Sequence, residues 1–263
     1  MVNKISFIEC MDIITQFWYC LKFQQEVLIC TFDIFSRYLT KCHFSLLNNA
    51  RQAICSLCAC ILLAEKFCGN DDYEYPYVIH KEIFKITQIT TKELAEAERN
   101  ILQSLDYRIP IYNGSYYLDY LTALSDYAPD SKEGILAYLV FIAAQHSTQL
   151  KSGNHSKNAT VSFSIATELS THIININSNC SKYKKRKHSD TKISNIISSL
   201  SSIHQDFKTD LLICRQTILK AIRQCKEANV KVYQRLKEEC NHSDPIEILE
   251  LLNEKNNDNY VNF

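Results

Sequence analysis

Tight turns are scarce in this chain, because it contains only four Gly and four Pro among 263 residues. A β-sheet protein of this length needs many tight turns, and Gly and Pro supply the backbone angles that such turns require. The composition therefore favours long helices joined by polar loops, and it predicts an all-α fold.

One apolar segment predicts how these helices pack. The stretch AICSLCACILLAEKFCGNDD begins with twelve residues, 53–64, among which Ser56 is the only strongly polar one. Its apolar side chains point in nearly every direction around a helix axis, and such a helix is buried among others. The run is shorter than the roughly 18–20 residues of a membrane span. It therefore predicts the central helix of a globular bundle.

Apolar residues at helical spacing surround this segment on both sides. Thr90 and Glu93 form a predicted capping box, and Asp130 with Glu133 form a second one. The pattern predicts two tandem five-helix bundles, of residues 1–110 and 111–240. A short helical tail, 241–263, is expected to be partly disordered. The polar stretch 175–189 is interpreted as a loop, and a helix is expected at about 193–203.

Charge and motif content exclude several function classes. Basic and acidic residues balance at 29 each, whereas proteins that grip nucleic acid usually carry a basic excess. No Gly-rich phosphate loop and no nucleophile with a base is evident, so we expect no catalytic residue, no cofactor and no small-molecule substrate. Nucleic acid is an unlikely partner, and no membrane partner is expected.

The twelve cysteines favour reduced thiols rather than a disulfide framework. The chain is long and shows no secretory leader, so a nuclear or cytosolic protein is the simpler interpretation. Cys55, Cys58 and Cys60 are close in sequence, but on one helix Cys60 points away from the other two. Because zinc needs about four converging ligands, no metal site is predicted.

Three segments of the first half resemble a known family. KFQQEVLICTFDIFSRYL (22–39) is similar to the second helix of the cyclin box, including its Arg-aromatic-Leu ending. LLAEKF (62–67) is similar to a stretch with a leucine pair and a Lys-aromatic, and ELAEAERNILQSLDYRI (93–109) is similar to the fifth helix. The resemblance continues more weakly through a second box to about residue 237. It implies two tandem cyclin-box bundles.

The resemblance also implies a kinase-binding site. In cyclins the residues that match Lys66 and Glu98 project from neighbouring helix ends and bind backbone groups of the kinase's regulatory helix. Lys donates hydrogen bonds and a carboxylate accepts them, so the pair suits unsatisfied groups near an element end. Alternatively, Lys66 is a solvated cation on a helix dipole, and Glu98 is one more surface charge. Four further positions match family residues that pack on the kinase: Phe67, Leu102, Tyr107 and Ile109. For Leu102 a place in the ordinary core is nearly as plausible.

The sequence departs from the family pattern in three places. Phe7 and Ser36 replace an Arg and an Asp that cyclins usually pair. Cys68 and Gly69 replace a common acidic pair. The resemblance therefore does not imply the contacts that this pair makes to the kinase's activation segment. The apolar docking patch of the first helix falls on SFIEC (6–10) and lacks its usual residues, so the resemblance does not extend to substrate docking.

The function implied by the resemblance is that of a regulatory subunit, not an enzyme. It would bind a cyclin-dependent protein kinase as a heterodimer and activate it during cell division, in the nucleus and cytoplasm. Two alternatives remain open: a cyclin-fold transcription factor that contacts DNA and protein, and a cyclin-like scaffold that binds a kinase without activating it. A basic run, Lys184, Lys185, Arg186 and Lys187, is a nuclear import signal, a phosphate-binding patch or a solvated loop.

Overall fold

The computed structural model describes residues 4–22, 24–69, 75–109, 114–125, 127–128, 130–148, 154–177 and 205–260. Within these ranges the chain forms eleven α-helices, one short 3-10 helix and no strand, which confirms the predicted all-α fold. The helices are α1 (Phe7–Leu21), α2 (Gln25–Lys41), α3 (Ala50–Cys68), α4 (Tyr75–Thr87), α5 (Thr91–Ser104), α6 (Gly114–Leu124), α7 (Lys132–Gln145), α8 (His155–Asn177), α9 (Gln205–Glu227), α10 (Lys231–Glu239) and α11 (Pro245–Tyr260).

The first of two compact units is formed mainly by Met1–Ser115 and contains α1 to α5. Its central element is α3, which packs against α1, α2, α4 and α5. All residues from Leu57 to Ala64 are buried, because their side chains are apolar on every side of the helix. Polar side chains of α3 therefore reach solvent near the ends of the helix.

Side-chain caps fix where the helices of this unit begin. Thr90 Oγ1 accepts a hydrogen bond from Glu93 N at 3.3 Å, and Glu93 Oε2 accepts one from Thr90 N at 2.8 Å. This is the capping box that the sequence predicts for α5. The same device starts α1 at Ser6 and Glu9, and Asn49 caps α3.

The second unit is formed mainly by residues 116–263 and contains most of α6 and all of α7 to α11. Its central helix α7 packs against α8, α9 and α10, and α8 packs against α11. α11 covers most of the tail that was expected to be partly disordered. The predicted helix at 193–203 and most of the predicted loop at 175–189 lie outside the described residues.

The capping box predicted at Asp130 is wrong. Ser131 is the N-cap of α7, and its Oγ accepts a hydrogen bond from Gly134 N at 3.2 Å. Glu133 does not turn back to the helix start, because its Oε1 accepts a hydrogen bond from Ser170 Oγ at 2.7 Å inside the core. Ser131 therefore supplies the local cap, and Glu133 binds a buried partner on another helix instead.

None of the helices in the described ranges combines the length and the apolar character that crossing a membrane requires.

Candidate protein-interaction site

The end of α3 presents a cation that meets a carboxylate of α5. Lys66 Nζ lies 2.8 Å from Oε1 and 2.6 Å from Oε2 of Glu98. The Lys66 side chain is 44% exposed and that of Glu98 16% exposed. The two residues are far apart in sequence, and they meet because α3 and α5 pack together. The structure therefore brings together the two charged residues that the sequence singles out.

This ion pair leaves hydrogen-bonding capacity unused on both side chains. A partly exposed salt bridge contributes only about 0–1 kcal/mol to stability. The Lys66 ammonium has three donors, and a carboxylate has about four acceptor positions, so both groups keep unused capacity. The pair can therefore offer a donor and an acceptor to another polypeptide.

Two of the predicted site residues are exposed aromatic side chains. Phe67 is 58% exposed at the end of α3, and Tyr107 is 66% exposed just after α5. Exposed large apolar side chains next to charged groups are typical of interaction surfaces.

The two remaining predicted residues, Leu102 and Ile109, are half-buried. Leu102 lies one turn after Glu98 and so shares its face of α5. Neither residue is fully in the core, so the alternative that Leu102 is an ordinary core residue does not describe its position completely. The basic run Lys184–Lys187 lies outside the described residues.

Arg37 holds the segment that carries Tyr107, a role that the sequence does not reveal. Its Nη2 donates a hydrogen bond to the backbone oxygen of Arg108 at 2.8 Å, and its Nη1 donates to Oδ2 of Asp33 at 3.4 Å. Tyr107 N donates to Leu102 O at 2.8 Å. Tyr107 has a φ of 57°, a left-handed conformation that is uncommon for an aromatic residue. The only signal in the sequence is the Arg-aromatic-Leu motif itself.

His80 of α4 is a third polar group near the ion pair. Burial lowers the pKa of its imidazole, Glu98 raises it and Lys66 lowers it. Within the described residues no group lies within hydrogen-bonding distance of its buried Nδ1. Lowering the pKa keeps this histidine neutral near pH 7, so it adds no charge to the site.

A buried carboxylate lies beneath the end of α3, where the family pattern has exposed acidic residues. Glu65 is only 6% exposed, and burial raises the pKa of its carboxyl. Gly69 covers it: a Cβ on Gly69 would lie 2.3 Å from Glu65 Oε1 and 2.4 Å from Glu65 O. Residue 69 therefore has no room for a side chain unless the helix end shifts.

An apolar groove forms a second surface of this unit. Its volume is about 610 Å³, and it lies between α1, α3 and the end of α4. The stretch 6–10 does not line it, because Ser6 and Glu9 form the α1 capping box and Cys10 is buried. The lining residues are Ile13, Gln16, Phe17, Cys20, Arg51, Ile54, Ile86, Thr87 and Ile89.

A buried helical core in which the central helix ends with the exposed side chains of Lys66 and Phe67 is typical of a helical protein-interaction domain. Residues 8–110 match the protein family described as "Cyclin, N-terminal domain". This part of the chain spans α1 to α5, so the resemblance predicted for the first half is confirmed, and residues 8–110 form a cyclin N-terminal domain. No protein of curated function matches the chain. Proteins with this domain are generally regulators rather than enzymes, and the cyclin fold generally binds kinases or other proteins.

Proposed function

We propose that this chain is the regulatory subunit of a cyclin-dependent protein kinase, with a role in cell division. It binds the kinase as a heterodimer and activates it by repositioning the kinase's regulatory helix and activation segment. The observation that carries this proposal is the contact between Lys66 and Glu98 at the exposed end of a buried helix. The match to the cyclin N-terminal domain supports it.

The mechanism is a shift of an equilibrium, because the chain itself neither binds ATP nor transfers phosphate. A ligand shifts a conformational equilibrium only by its differential affinity for the two states. Moving a kinase from about 1:99 to 99:1 in favour of the active state takes about 5.5 kcal/mol. Hydrogen bonds to charged groups contribute about 1.5–3 kcal/mol each. Lys66 and Glu98 therefore need support from apolar contacts.

Phe67 and Tyr107 are the main source of that apolar contribution, since both are more than half exposed in the free chain. Burying apolar surface contributes about 25 cal/mol per Å², and aromatic side chains bury about 150–250 Å² each. The half-buried Leu102 and Ile109 would add apolar surface to the proposed interface. An interface above about 2,000 Å² in total suits this task.

The first test measures capture of a kinase from native extract by the immobilised chain, with the kinase identified by mass spectrometry. The double substitution Lys66→Ala with Glu98→Ala is expected to weaken binding of that kinase by about 100-fold or more. Losing two charge-assisted hydrogen bonds costs about 3–6 kcal/mol, and about 2.7 kcal/mol is already 100-fold. Thermal unfolding should change little, because the pair is partly exposed.

A matched control comes from the second unit. Arg215 Nη1 and Nη2 donate to Oε1 and Oε2 of Glu168 at 2.8 and 2.7 Å, so this pair is also bidentate and partly exposed. Replacing both residues with Ala should leave kinase capture unchanged. Undiminished capture by the Lys66 and Glu98 double variant would overturn the assignment of the site.

A non-activating scaffold is the second candidate function, favoured by Cys68 and Gly69 standing where the family pattern has two carboxylate side chains. A kinase assay with and without the purified chain separates the two candidates. Activation of the captured kinase supports the regulatory subunit, whereas binding without any rise in phosphate transfer supports the scaffold.

We also propose that the protein resides in the nucleus and cytoplasm, with Lys184–Lys187 as an import signal. A fluorescent fusion in which all four residues are Ala should lose its nuclear fraction. An unchanged distribution would contradict this role.

A further inference from the structure

The turn after α5, residues 105–109, carries two of the proposed interface residues, Tyr107 and Ile109. Asp106 and Tyr107 have φ of 53° and 57°, a left-handed conformation that bulky residues rarely adopt. Tyr107 is 66% exposed, so contacts of its own ring fix its position only weakly. The backbone of the turn therefore determines where Tyr107 lies.

The backbone hydrogen bonds of this turn are local to α5. Three consecutive amides donate to carbonyl oxygens at the end of the helix: Asp106 N to Gln103 O at 3.1 Å, Tyr107 N to Leu102 O at 2.8 Å and Arg108 N to Leu105 O at 2.9 Å. The last turns of helices fray, and local openings of this kind need little free energy. These three bonds open together when the helix end frays, so they do not by themselves hold Tyr107 in one place.

Arg37 of α2 joins the turn to a second helix. Its Nη2 donates a hydrogen bond to Arg108 O at 2.8 Å, and its Nη1 donates to Oδ2 of Asp33 at 3.4 Å. The Asp33 side chain is only 3% exposed, so the guanidinium is anchored on a buried carboxylate. The planar fork of arginine can serve two acceptors in a fixed geometry. Arg37 thus ties the carbonyl of the residue after Tyr107 to the core of the unit.

We propose that Arg37 is a positioning residue of the kinase interface, which holds Tyr107 in the conformation that the kinase binds. This inference rests on the proposed function. Arg37 acts through the backbone of Arg108, and Tyr107 makes the contact. A segment that is ordered before association loses less conformational entropy on binding, so the tie raises affinity without adding an interface contact. Removing it is expected to weaken kinase binding by about 10-fold.

Hydrogen exchange tests the tie without any partner protein. In Arg37→Ala, the amides of Tyr107 and Arg108 should exchange at least about 10-fold faster than in the unsubstituted chain, because the turn opens more often. The rates are measured residue by residue on the purified full-length chain. Urea unfolding of the same variant shows whether the change is confined to the turn.

Two controls come from the same chain. The turn after α10 has the same conformation, with φ of 54° at Asn241 and 63° at His242, and its exchange should not change. Arg51→Ala removes another arginine that reaches α5, since Arg51 Nη2 lies 2.9 Å from Glu93 Oε1. Because that contact lies in the first turn of α5 and involves a side chain, Arg51→Ala should leave the exchange of Tyr107 and the capture of the kinase unchanged.

Arg37→Lys is the second variant if Arg37→Ala does not fold. It keeps a cation beside the buried Asp33, but a single ammonium lacks the fork that reaches both acceptors. We expect the ammonium to stay with Asp33, because opposite charges attract each other more strongly than a cation attracts a neutral carbonyl. Exchange of the Tyr107 amide should therefore rise as it does in Arg37→Ala.

A double-substitution cycle separates positioning from a general loss of stability. The dissociation constant of the captured kinase is measured for Arg37→Ala, for Tyr107→Ala and for the variant that carries both. Contributions that act through one contact are not additive. Once the Tyr107 ring is absent, Arg37→Ala should therefore weaken binding by only about 3-fold or less. A merely structural role of Arg37 would instead give factors that multiply.

Three results would overturn the proposal. Unchanged exchange at Tyr107 and Arg108 in both Arg37 variants would show that Arg37 does not fix the turn. Factors that multiply in the cycle would show that it does not act through Tyr107. Failure of the unsubstituted chain to capture any kinase would overturn the proposed function, and the interface role of Arg37 with it. The exchange measurement gives its own result in that case, so the two failures are distinguishable.

Discussion

The two central helices, α3 and α7, are alike in their interior and different at their ends. Both are apolar on nearly every side and buried by the helices around them. α3 ends with the exposed residues Lys66 and Phe67, whereas α7 is followed by His146 and Ser147, which are 2% and 7% exposed. Nδ1 of His146 lies 3.0 Å from Ile142 O. The residues at the end of α7 are therefore buried, whereas those at the end of α3 are exposed.

The two helices also differ in how they accommodate a buried carboxylate. Glu133 in the first turn of α7 accepts a hydrogen bond from Ser170, so its burial is compensated within the unit. Glu65 in the last turns of α3 is equally buried, and within the described residues its Oε2 has no hydrogen-bond partner. Unsatisfied buried groups cost free energy. The comparison indicates that burial of Glu65 costs the first unit some stability, whereas burial of Glu133 is compensated in the second.

Phenylalanine truncation gives the largest effect. Phe141 of α7 is 0% exposed and Phe67 of α3 is 58% exposed. Phe141→Ala is expected to lower the free energy of unfolding by about 3–5 kcal/mol, because it leaves a cavity in the core. Phe67→Ala should lower it by less than about 0.5 kcal/mol while weakening kinase capture. Urea unfolding and the capture assay measure the two effects. A large loss of stability from Phe67→Ala would show that the end of α3 is part of the core.

Local signals explain why much of the fold can be predicted from sequence. Thr90 and Glu93 are three residues apart, so their capping box can be recognised without knowledge of any other element. The apolar run of α3 likewise predicts its own burial. The meeting of Lys66 with Glu98 is different, because it depends on how α3 and α5 pack, and only the family resemblance predicts it.

Contacts between distant residues explain what the sequence does not predict. Arg37 donates to the backbone oxygen of Arg108, 71 positions away, and a backbone acceptor carries no residue type that a motif could reveal. Glu65 is of a residue type that usually lies at the surface, yet it is buried because of its angular position on α3.

Substitution of the glycine at the exit of α3 has an intermediate effect. Gly69→Ala is expected to lower the free energy of unfolding by about 1–3 kcal/mol, because the new methyl group meets the carboxylate and the backbone oxygen of Glu65. The φ of Gly69 is −74°, which alanine adopts without strain. If the contact were absent, alanine would instead stabilise the protein by about 0.4–1 kcal/mol through the unfolded chain. An unchanged or raised midpoint of urea unfolding would therefore contradict the close approach of Glu65.

Neutralising the two buried carboxylates should give the smallest effects, with opposite signs. Burial raises the pKa of Glu65 in the folded chain above its unfolded value, so the folded state binds the proton more tightly. Its contribution to stability is greatest when it is protonated, and it falls as the pH rises from about 4.3, the usual value for Glu. Glu65→Gln should therefore stabilise the protein at pH 7 by about 1 kcal/mol and flatten this decline.

Glu133→Gln is the matched control for this prediction, and it should do the reverse. The amide weakens the charge-assisted hydrogen bond from Ser170, so stability at pH 7 should fall by up to about 1 kcal/mol. Urea unfolding of both variants between about pH 5 and pH 8, which brackets the usual range of maximal stability, measures the difference. If both substitutions destabilise the chain equally, Glu65 has a compensating partner. Burying its carboxylate would then cost no more free energy than burying that of Glu133.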